Sequence, residues 1–206
     1  MASNLSPDWQ GLAAVIVGGG ESFSAADARL IGMARNKDLI RVITVNDAVY
    51  PCWFADIAYA CDIDWWKHHP IPEFLGRKLR LDANPKKQVP PADVETIKSL
   101  GEHGLGKNGI YHGRNSGYQA LQVAFHLGAS RICLVGIDMS GGHWFGEHPK
   151  GVRRGSPLRA TMSRNFDHLG PLLAARGVDV VNASPISTIR AFPKVGLSDW
   201  LQALEA

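Results

Sequence analysis

Residues 115–138, NSGYQALQVAFHLGASRICLVGID, decide the fold of this 206-residue chain. A small-polar-glycine turn opens an apolar helix, the helix ends at Gly128, and an apolar strand then carries Asp138 at its tip. A turn of this kind leaves backbone N–H groups free at a helix N-terminus, where anionic groups bind readily. A strand that ends in an acid places a carboxylate where open α/β sheets hold their ligands. The segment therefore predicts an α/β protein that holds a nucleotide-like ligand.

The rest of the chain alternates short apolar runs with segments of helical spacing. The predicted strands are residues 12–17, 40–45, 53–60, 78–81, 131–137 and 178–181. The predicted helices are residues 24–34, with Ser22 or Ser24 as the N-cap, and residues 91–100, 117–127 and 158–176. Strands that alternate with helices predict a mostly parallel sheet covered on both faces, which is a single Rossmann-like domain over residues 1–206. Residues 140–157 carry Gly, His and basic residues without apolar spacing and predict a lid loop.

Composition restricts the class of protein. A hydrophobic content of 45% with 20% charged residues is ordinary for a globular protein, and a net charge of +3 is too small to indicate nucleic acid. No apolar run approaches the roughly 18 residues of a membrane span, and the three cysteines lack the spacing of a disulfide framework or a zinc site. These features predict a soluble cytoplasmic protein. Aromatic side chains that would offer a surface for a homo-oligomer, if exposed, are Trp9, Trp65, Trp66 and Trp144.

A glycine turn follows the first predicted strand and consists of Gly18, Gly19, Gly20, Glu21 and Ser22. It resembles a turn that cradles phosphate, but Phe23 stands where the third glycine of a dinucleotide fingerprint would be. The turn also lacks the Gly-Lys-Ser/Thr of a P-loop. A purely structural turn and a backbone contact with a ligand both remain open.

Other polar residues follow predicted strands. Asn46 and Asp47 either cap the next helix or present an amide to a base edge or a ribose hydroxyl. Asp62 and Asp64 form a D-x-D pattern, which is a weak indication of a metal-bound nucleotide sugar. The predicted ligand edge therefore collects residues 18–22, Asn46, Asp47, Asp62, Asn115, Ser116, Gly117 and Asp138.

The segment His143-Trp-Phe-Gly-Glu-His148 contains the most reactive side chains of the predicted lid. Two histidines and a glutamate could bind a divalent metal, or one histidine could act as a general base near neutral pH. The spacing does not fit the H-E-x-x-H helix of zinc proteases, so plain loop polarity is a third interpretation. The predicted catalytic residues are His143, His148 and Asp138, without a metal ion.

The chain resembles the bacterial sialyltransferases and phage-encoded Rossmann-like proteins related to them. Residues 115–138 are similar to the segment of that family that starts Thr-Ser-Gly and ends Ser-Gly-Ile-Asp. Residues 15–22 are similar to its Gly-Asn-Gly-Pro-Ser turn, and the similarity continues at Val45-Asn46 and from Asn165 to Phe192. The resemblance implies a donor that is a cytidine nucleotide sugar, used as a substrate without any cofactor. It also implies that residues 20–22 and Asn46 line the donor and that Ser116 and Gly117 contact the nucleotide.

Three departures from the family bear on activity. Its first-turn Asn is replaced by glycine and its Thr-Ser-Gly becomes Asn115-Ser-Gly, while Met162 stands where the family has its catalytic histidine. Methionine cannot accept a proton from an acceptor hydroxyl. Either His143 or His148 substitutes from the lid, or the protein does something other than transfer sialic acid. Three hypotheses follow: a transferase with a nucleotide-activated donor, a nucleotide-binding protein without turnover, and a relative that transfers pyrophosphate or modifies a nucleobase.

Overall fold

Seven parallel strands form the central sheet of the computed structural model, which describes residues 5–82, 89–146 and 159–206. The strands are β1 (Ala13–Val17), β2 (Ile40–Val45), β3 (Ile57–Tyr59), β4 (Arg77–Asp82), β5 (Glu95–Lys98), β6 (Arg131–Val135) and β7 (Asp179–Asn182). Their order in the sheet is β5-β4-β3-β2-β1-β6-β7, and every neighbouring pair is parallel. The predicted α/β fold with a parallel sheet is confirmed.

Helices cover both faces of this sheet, as the sequence predicted. They are α1 (Ala25–Asn36), α2 (Ile63–His68), α3 (Ser116–Leu127), α4 (Arg159–Ala174) and α5 (Leu197–Glu205). Buried side chains of α3 and α4 belong to one core cluster, and buried side chains of α1, α2 and α5 belong to the other. The sheet therefore separates two apolar cores.

Strand β1 shows why the chain takes this arrangement. Its sequence, AAVIV, is buried at every position, which is typical of a strand covered on both faces. Successive side chains alternate between the faces, so Ala14 and Ile16 join the core beneath α3 while Val15 and Val17 join the core beneath α1. Pairing on both edges, with β2 and with β6, completes its hydrogen bonding.

The first helix begins where the sequence predicted. Ser24 is the N-cap, and its hydroxyl accepts a hydrogen bond from the backbone N–H of Asp27 at 3.2 Å. The Asp27 carboxylate in turn accepts from the backbone N–H of Ser24 at 2.9 Å, which closes a capping box. Of the two N-cap residues considered, Ser24 is the correct one.

Two of the predicted elements are wrong. The helix predicted over residues 91–100 is instead the edge strand β5, in which Ile97 is buried between exposed neighbours and pairs with Leu81 of β4. The strand predicted over residues 53–60 is reduced to β3, because Trp53 and Phe54 lie in a turn before it. Burial against a neighbouring strand overrode the helical propensity of a charged segment in the first case.

The sequence led to two expectations about the surface: that no segment spans a membrane, and that exposed tryptophans could form an interface. Within the described residues, no helix is both long enough and apolar enough to cross a membrane. Trp9 and Trp66 are buried in the two cores and cannot contribute to an interface, whereas Trp144 is 37% exposed. Trp53, which the sequence did not single out as a surface residue, is 39% exposed.

Candidate functional site

The direction of chain winding changes between β1 and β6, which places the candidate site. From β1 the chain proceeds through β2 to β5 on one side, and it returns through α3 to β6 on the other side. Open parallel sheets bind ligands beyond the carboxyl ends of the strands at such a switch point. The glycine turn after β1 and Asp138 after β6 lie at this point, as the sequence predicted for the ligand edge.

Asp138 and Ser22 join the two sides of the switch point. The Asp138 carboxylate accepts a hydrogen bond from the Ser22 backbone N–H at 2.9 Å and another from the Ser22 hydroxyl at 2.5 Å. Only 2% of Asp138 is exposed. Its side chain therefore positions the glycine turn, and its predicted catalytic role stays a prediction.

Close packing against β6 explains two of the glycines. The backbone N–H of Gly18 donates to Val135 and that of Gly20 donates to Gly136, both at 2.8 Å. A Cβ atom on Gly18 would lie 2.5 Å from the carbonyl oxygen of Gly136, and one on Gly20 would lie 2.7 Å from the same atom. A Cβ on Gly19 would meet only side-chain atoms at 3.4 Å. Protein packing thus requires glycine at positions 18 and 20, while position 19 is less restricted.

Residues 184–188 hold in place the residues that directly follow β6. The backbone N–H of Ile137 donates to the hydroxyl of Ser184 at 3.0 Å, and its carbonyl accepts from the hydroxyl of Ser187 at 2.8 Å. The backbone N–H of Thr188 donates to the carbonyl of Asp138 at 2.8 Å. These contacts explain the Ser-Pro-Ile-Ser sequence that resembles sialyltransferases, and only that resemblance indicated it beforehand.

The N-terminus of α3 lies beside the same strand tip. Asn115 is the N-cap, and its side-chain oxygen accepts from the backbone N–H of Tyr118 at 2.9 Å. A Cβ on Gly117 would lie 2.9 Å from the Cδ1 atom of Ile137 and 3.0 Å from the Oδ1 atom of Asn115, so the helix packs closely against the residues that follow β6. The Asn115 side chain is occupied by capping, and Ser116, which is partly exposed, begins the helix. The helix N-terminus, the glycine turn and Asp138 therefore converge around Ile137.

The other predicted ligand residues lie further along the carboxyl edge. Asn46 and Asp47 begin a 3-10 helix (Asn46–Val49) directly after β2, and Asp62 precedes α2, beyond the end of β3. The indole N–H of Trp65 donates to the Asp47 carboxylate at 3.3 Å. Asp62 is exposed, and β3 lies two strands from β1, about 10 Å at ordinary strand spacing. Asn46 and Asp47 adjoin the switch point, and Asp62 is more distant.

The described part of the predicted lid packs onto the glycine turn. Gly20 and His143 form an antiparallel bridge, and the backbone N–H of Trp144 donates to the carbonyl of Gly19 at 3.2 Å. The Glu21 carboxylate accepts from the backbone N–H of Gly142 at 3.0 Å. His143 therefore lies at the site, whereas His148 and the remainder of residues 147–158 lie outside the described residues.

The contact made by His143 determines its tautomer. Its Nδ1 atom lies 3.0 Å from the carbonyl oxygen of Gly19, and a carbonyl oxygen can only accept a hydrogen bond. The proton of the neutral ring is therefore on Nδ1, and Nε2 carries the lone pair. The ring stacks on Phe145, with centroids 5.0 Å apart and planes at 11°. A histidine held in this way can accept a proton at Nε2.

Unusual backbone conformations concentrate at this edge. Four non-glycine residues of the described chain have positive φ: Asp38, Asn46, Arg114 and Met139. Asp38 lies in the turn after α1, but the other three follow β2, precede α3 and follow β6. Non-glycine residues in this region carry strain that folded proteins tolerate mainly at ligand and active sites. The distribution supports a functional role for the carboxyl edge.

Two buried glutamines of α3 connect the site to the glycine-rich loop before the helix. The Gln119 side chain accepts from the hydroxyl of Tyr59 at 2.7 Å and donates to the carbonyl of His112 at 2.6 Å. Gln122 accepts from the backbone N–H of Tyr111 at 2.9 Å and donates to its carbonyl at 2.8 Å. Sequence reasoning did not identify them, although two glutamines three residues apart in an apolar helix are a signal that could have been used.

Charged and ionisable groups lie buried beneath the edge. Arg80 of β4 is 1% exposed, and its positive charge opposes the effects of burial and of Asp62 on the pKa values of Tyr59 and Cys61. Burial raises the pKa of the Cys61 thiol to about 11 and that of the Cys52 thiol to about 12. Neither thiol is an activated nucleophile at neutral pH.

Two observations limit the metal and base assignments. Across residues 5–82, 89–146 and 159–206, no three His, Cys, Asp or Glu side chains are grouped so that they could hold a metal ion. Met162 lies on α4, which is anchored beside the site because the Asn165 side chain donates to the Gly113 carbonyl at 2.7 Å. Met162, which the sequence resemblance aligns with the catalytic histidine of sialyltransferases, lies three residues before Asn165 on this helix and cannot accept a proton.

Comparison with known proteins identifies the fold. The chain matches no protein-family model and no curated protein. Among solved structures it resembles the MAf glycosyltransferase from Magnetospirillum magneticum AMB-1, with a TM-score of 0.62 and 16% identity over 94% of this chain. The similarity covers only 35% of that glycosyltransferase, so the chain spans about a third of its length.

The sialyltransferase CstII from Campylobacter jejuni is also similar. Its complex with the substrate analogue CMP-3FNeuAc gives a TM-score of 0.54 at 14% identity, over 90% of this chain and 86% of that one. Its complex with cytidine-5'-monophosphate gives a TM-score of 0.51 at 14% identity, over 91% and 86%. These structural neighbours are glycosyltransferases, and at such identities they show a shared fold.

Proposed function

We propose that this chain is a glycosyltransferase of the sialyltransferase type that uses a nucleotide-activated sugar as its donor. One observation carries the proposal: the glycine turn, the N-terminus of α3 and the His143 ring converge at the switch point of a sheet whose structural neighbours are glycosyltransferases. The CstII structures contain a cytidine nucleotide and a cytidine nucleotide sugar. That similarity favours a cytidine-based donor here.

The donor would bind across the carboxyl edge. Backbone N–H groups at Ser116 and Gly117, in the first turn of a twelve-residue helix, favour an anionic group such as the nucleotide phosphate. The Asn46 side chain, at the end of the adjacent strand, offers both a donor and an acceptor to a ribose or a base. Asp138 would act indirectly, because its carboxylate holds the turn that borders the donor.

His143 is the proposed general base. In the transfer, the acceptor oxygen forms a bond with the anomeric carbon of the sugar, and the bond from that carbon to the nucleotide phosphate breaks. The acceptor hydroxyl proton passes to Nε2, the ring nitrogen that the Gly19 contact leaves deprotonated. His148 stays a second candidate for this role, and it lies outside the described residues.

The test separates donor binding from turnover. In the His143→Gln variant, calorimetry should give the wild-type affinity for cytidine-5'-monophosphate, since Gln cannot accept the proton but can still donate to Gly19. Release of that nucleotide from a cytidine nucleotide sugar should fall by about 10²- to 10⁴-fold. His168→Gln, an exposed histidine on α4, is the matched control and should behave as wild type. Unchanged turnover in His143→Gln would remove the assigned base, and absence of nucleotide binding in the wild type would overturn the donor site.

A second candidate function is nucleotide binding without transfer. Met162 favours this function, because the sequence resemblance aligns it with the histidine of sialyltransferases and its side chain cannot accept a proton. Tight binding of a cytidine nucleotide, with no release from its sugar conjugate in wild type or in Met162→His, would support this function over the first. Turnover gained on introducing the histidine would instead show a transferase pocket that lacks only its base.

A further inference from the structure

A row of aromatic rings begins beside Asp47 at the candidate site. Two of its rings come from the segment between β2 and β3, and two come from α2 and the residue that follows it. The row consists of Trp65, His69, Tyr50 and Trp53. The rings of Trp65 and His69 are stacked, with centroids 5.0 Å apart and planes at 9°. His69 and Tyr50 follow at 6.0 Å, and Tyr50 and Trp53 at 6.4 Å with planes at 20°. Four rings thus form one continuous aromatic row.

Polar contacts fasten the first half of the aromatic row to the carboxyl edge of the sheet. The Asp47 carboxylate accepts from the indole N–H of Trp65 at 3.3 Å and lies 3.5 Å from Nδ1 of His69. The hydroxyl of Tyr50 is 3.0 Å from the same nitrogen. Asp47 follows β2 directly, so the row begins at a strand end that adjoins the proposed donor site.

The second half of the aromatic row is exposed to solvent. Tyr50 is 46% exposed and Trp53 is 39% exposed. By contrast, two rings that pack against the aromatic row are buried in the core. Trp66 contacts Trp65, and Phe74 contacts Trp53 edge-on with ring centroids 5.9 Å apart. The buried rings complete the core, while the outer row leaves aromatic surface accessible. Exposed aromatic surface that is continuous with a polar site is typical of a binding site.

We propose that the aromatic row binds a neutral oligosaccharide, which is the acceptor of the proposed transfer. The electron-rich face of an aromatic ring attracts the polarised C–H groups of a sugar ring, so Tyr50 and Trp53 supply stacking surfaces. The Asp47 carboxylate, the His69 ring and the Tyr50 hydroxyl supply hydrogen bonds to sugar hydroxyls. An elongated acceptor would place one end at the donor edge and extend its remaining sugars along the row.

Local charge selects a neutral ligand over a nucleic acid strand. Aromatic rows also stack the bases of single strands, but such sites line the backbone path with positive charge. Here the Asp47 carboxylate contacts the row itself, and Asp62 is exposed at the start of α2, the helix that carries Trp65, while Asp64 on that helix is paired with Lys67 at 3.4 Å. Burial and the nearby Asp47 charge raise the pKa of Tyr50, so its hydroxyl stays protonated and can donate at neutral pH. A polyanion would be repelled, whereas sugar hydroxyls would be bound.

The identity of the ligand as an acceptor depends on the proposed function, but its binding can be measured without donor or turnover. The fluorescently labelled wild-type chain is applied to an array of neutral gluco-, manno-, galacto- and N-acetylglucosaminyl oligosaccharides. Binding to at least one series is expected. Trp53→Ala and Tyr50→Ala should each weaken that binding about two- to tenfold, which is the loss of one stacked ring. Leu75→Ala is the control, since Leu75 is 99% exposed nearby and outside the row.

Each outcome decides one question. Circular dichroism verifies that Trp53→Ala is folded. If that variant does not fold, Tyr50→Ala provides the same test at a more exposed ring. Wild type that binds no oligosaccharide, or row variants that bind as wild type, would overturn the proposal. A change of oligomeric state in the row variants by light scattering, without glycan binding, would overturn it in favour of a protein interface. Cytidine-5'-monophosphate binding is measured on the same samples, so failure of the glycan site and failure of the donor site are distinguished.

Discussion

Removal of the Asp138 carboxylate tests the link between the two sides of the switch point. Asp138→Ala deprives the Ser22 backbone N–H and the Ser22 hydroxyl of their shared acceptor. The site is nearly inaccessible to water, since 2% of Asp138 is exposed, so solvent cannot readily replace the lost contacts. We therefore expect Asp138→Ala to cause a large loss of stability.

The magnitude follows from the two contacts. A hydrogen bond to a charged group contributes about 1.5–3 kcal/mol, so Asp138→Ala should lower the free energy of unfolding by about 3–6 kcal/mol. Ser22→Ala keeps the backbone contact and removes only the hydroxyl, and should cost about 1.5–3 kcal/mol. In the double variant the hydroxyl contact is lost only once, so the two effects should be non-additive by about 1.5–3 kcal/mol.

Urea unfolding followed by circular dichroism measures these four free energies. Asp62→Ala is the matched control, because Asp62 is an exposed aspartate beyond the end of β3, and it should stay within about 0.5 kcal/mol of wild type. A loss below about 1 kcal/mol in Asp138→Ala, or strict additivity in the double variant, would refute the inference that this carboxylate holds the glycine turn.

Two further predictions concern stability. Gly18→Ala should lower the free energy of unfolding by about 1–3 kcal/mol in urea, because its Cβ would lie 2.5 Å from the Gly136 carbonyl oxygen. Gly19→Ala should have little effect, and equal losses of stability in the two variants would contradict the packing argument. Burial lowers the pKa of His126 below its ordinary value of 6.5, so near that pH the unfolded chain binds a proton more readily than the folded chain. The free energy of unfolding should therefore fall as the pH drops below about 6.5. His126→Gln should lose that part of the pH dependence when unfolding midpoints are compared at acidic and neutral pH, and an unchanged slope would contradict it.

The sequence predicts the strands of the sheet's centre better than its edge. The run AAVIV of β1 and the run RICLV of β6 are apolar enough to require burial on both faces, and the glycine at 128 ends α3 as expected. The strand β5 was missed because its residues, ETIK, include good helix formers, and only the pairing of Ile97 with Leu81 makes them a strand. Local preference and long-range pairing disagree there, and pairing determines the result.

The candidate site was predicted in position but not in its internal contacts. A turn after a strand and an acid after another strand indicate one sheet edge, because parallel strands end together. The direct bond between Ser22 and Asp138 joins residues far apart in the chain, and no local spacing encodes it. The aromatic row is a similar case. The sequence offered Trp65 as an isolated surface aromatic, but the row that it forms with Tyr50 and Trp53 exists only because two crossover segments pack side by side.

The position of β1 also has a consequence for how the chain is made. Ala13 pairs with Ile40 on one edge and with Arg131 on the other, so one neighbour of the central strand is synthesised soon after it and the other much later. Until β6 leaves the ribosome, a wholly apolar strand has an unpaired edge, which invites association with other chains. Such distant pairing also slows folding. We expect nascent chains that end before residue 131 to depend on chaperones, and release from them to coincide with the emergence of β6.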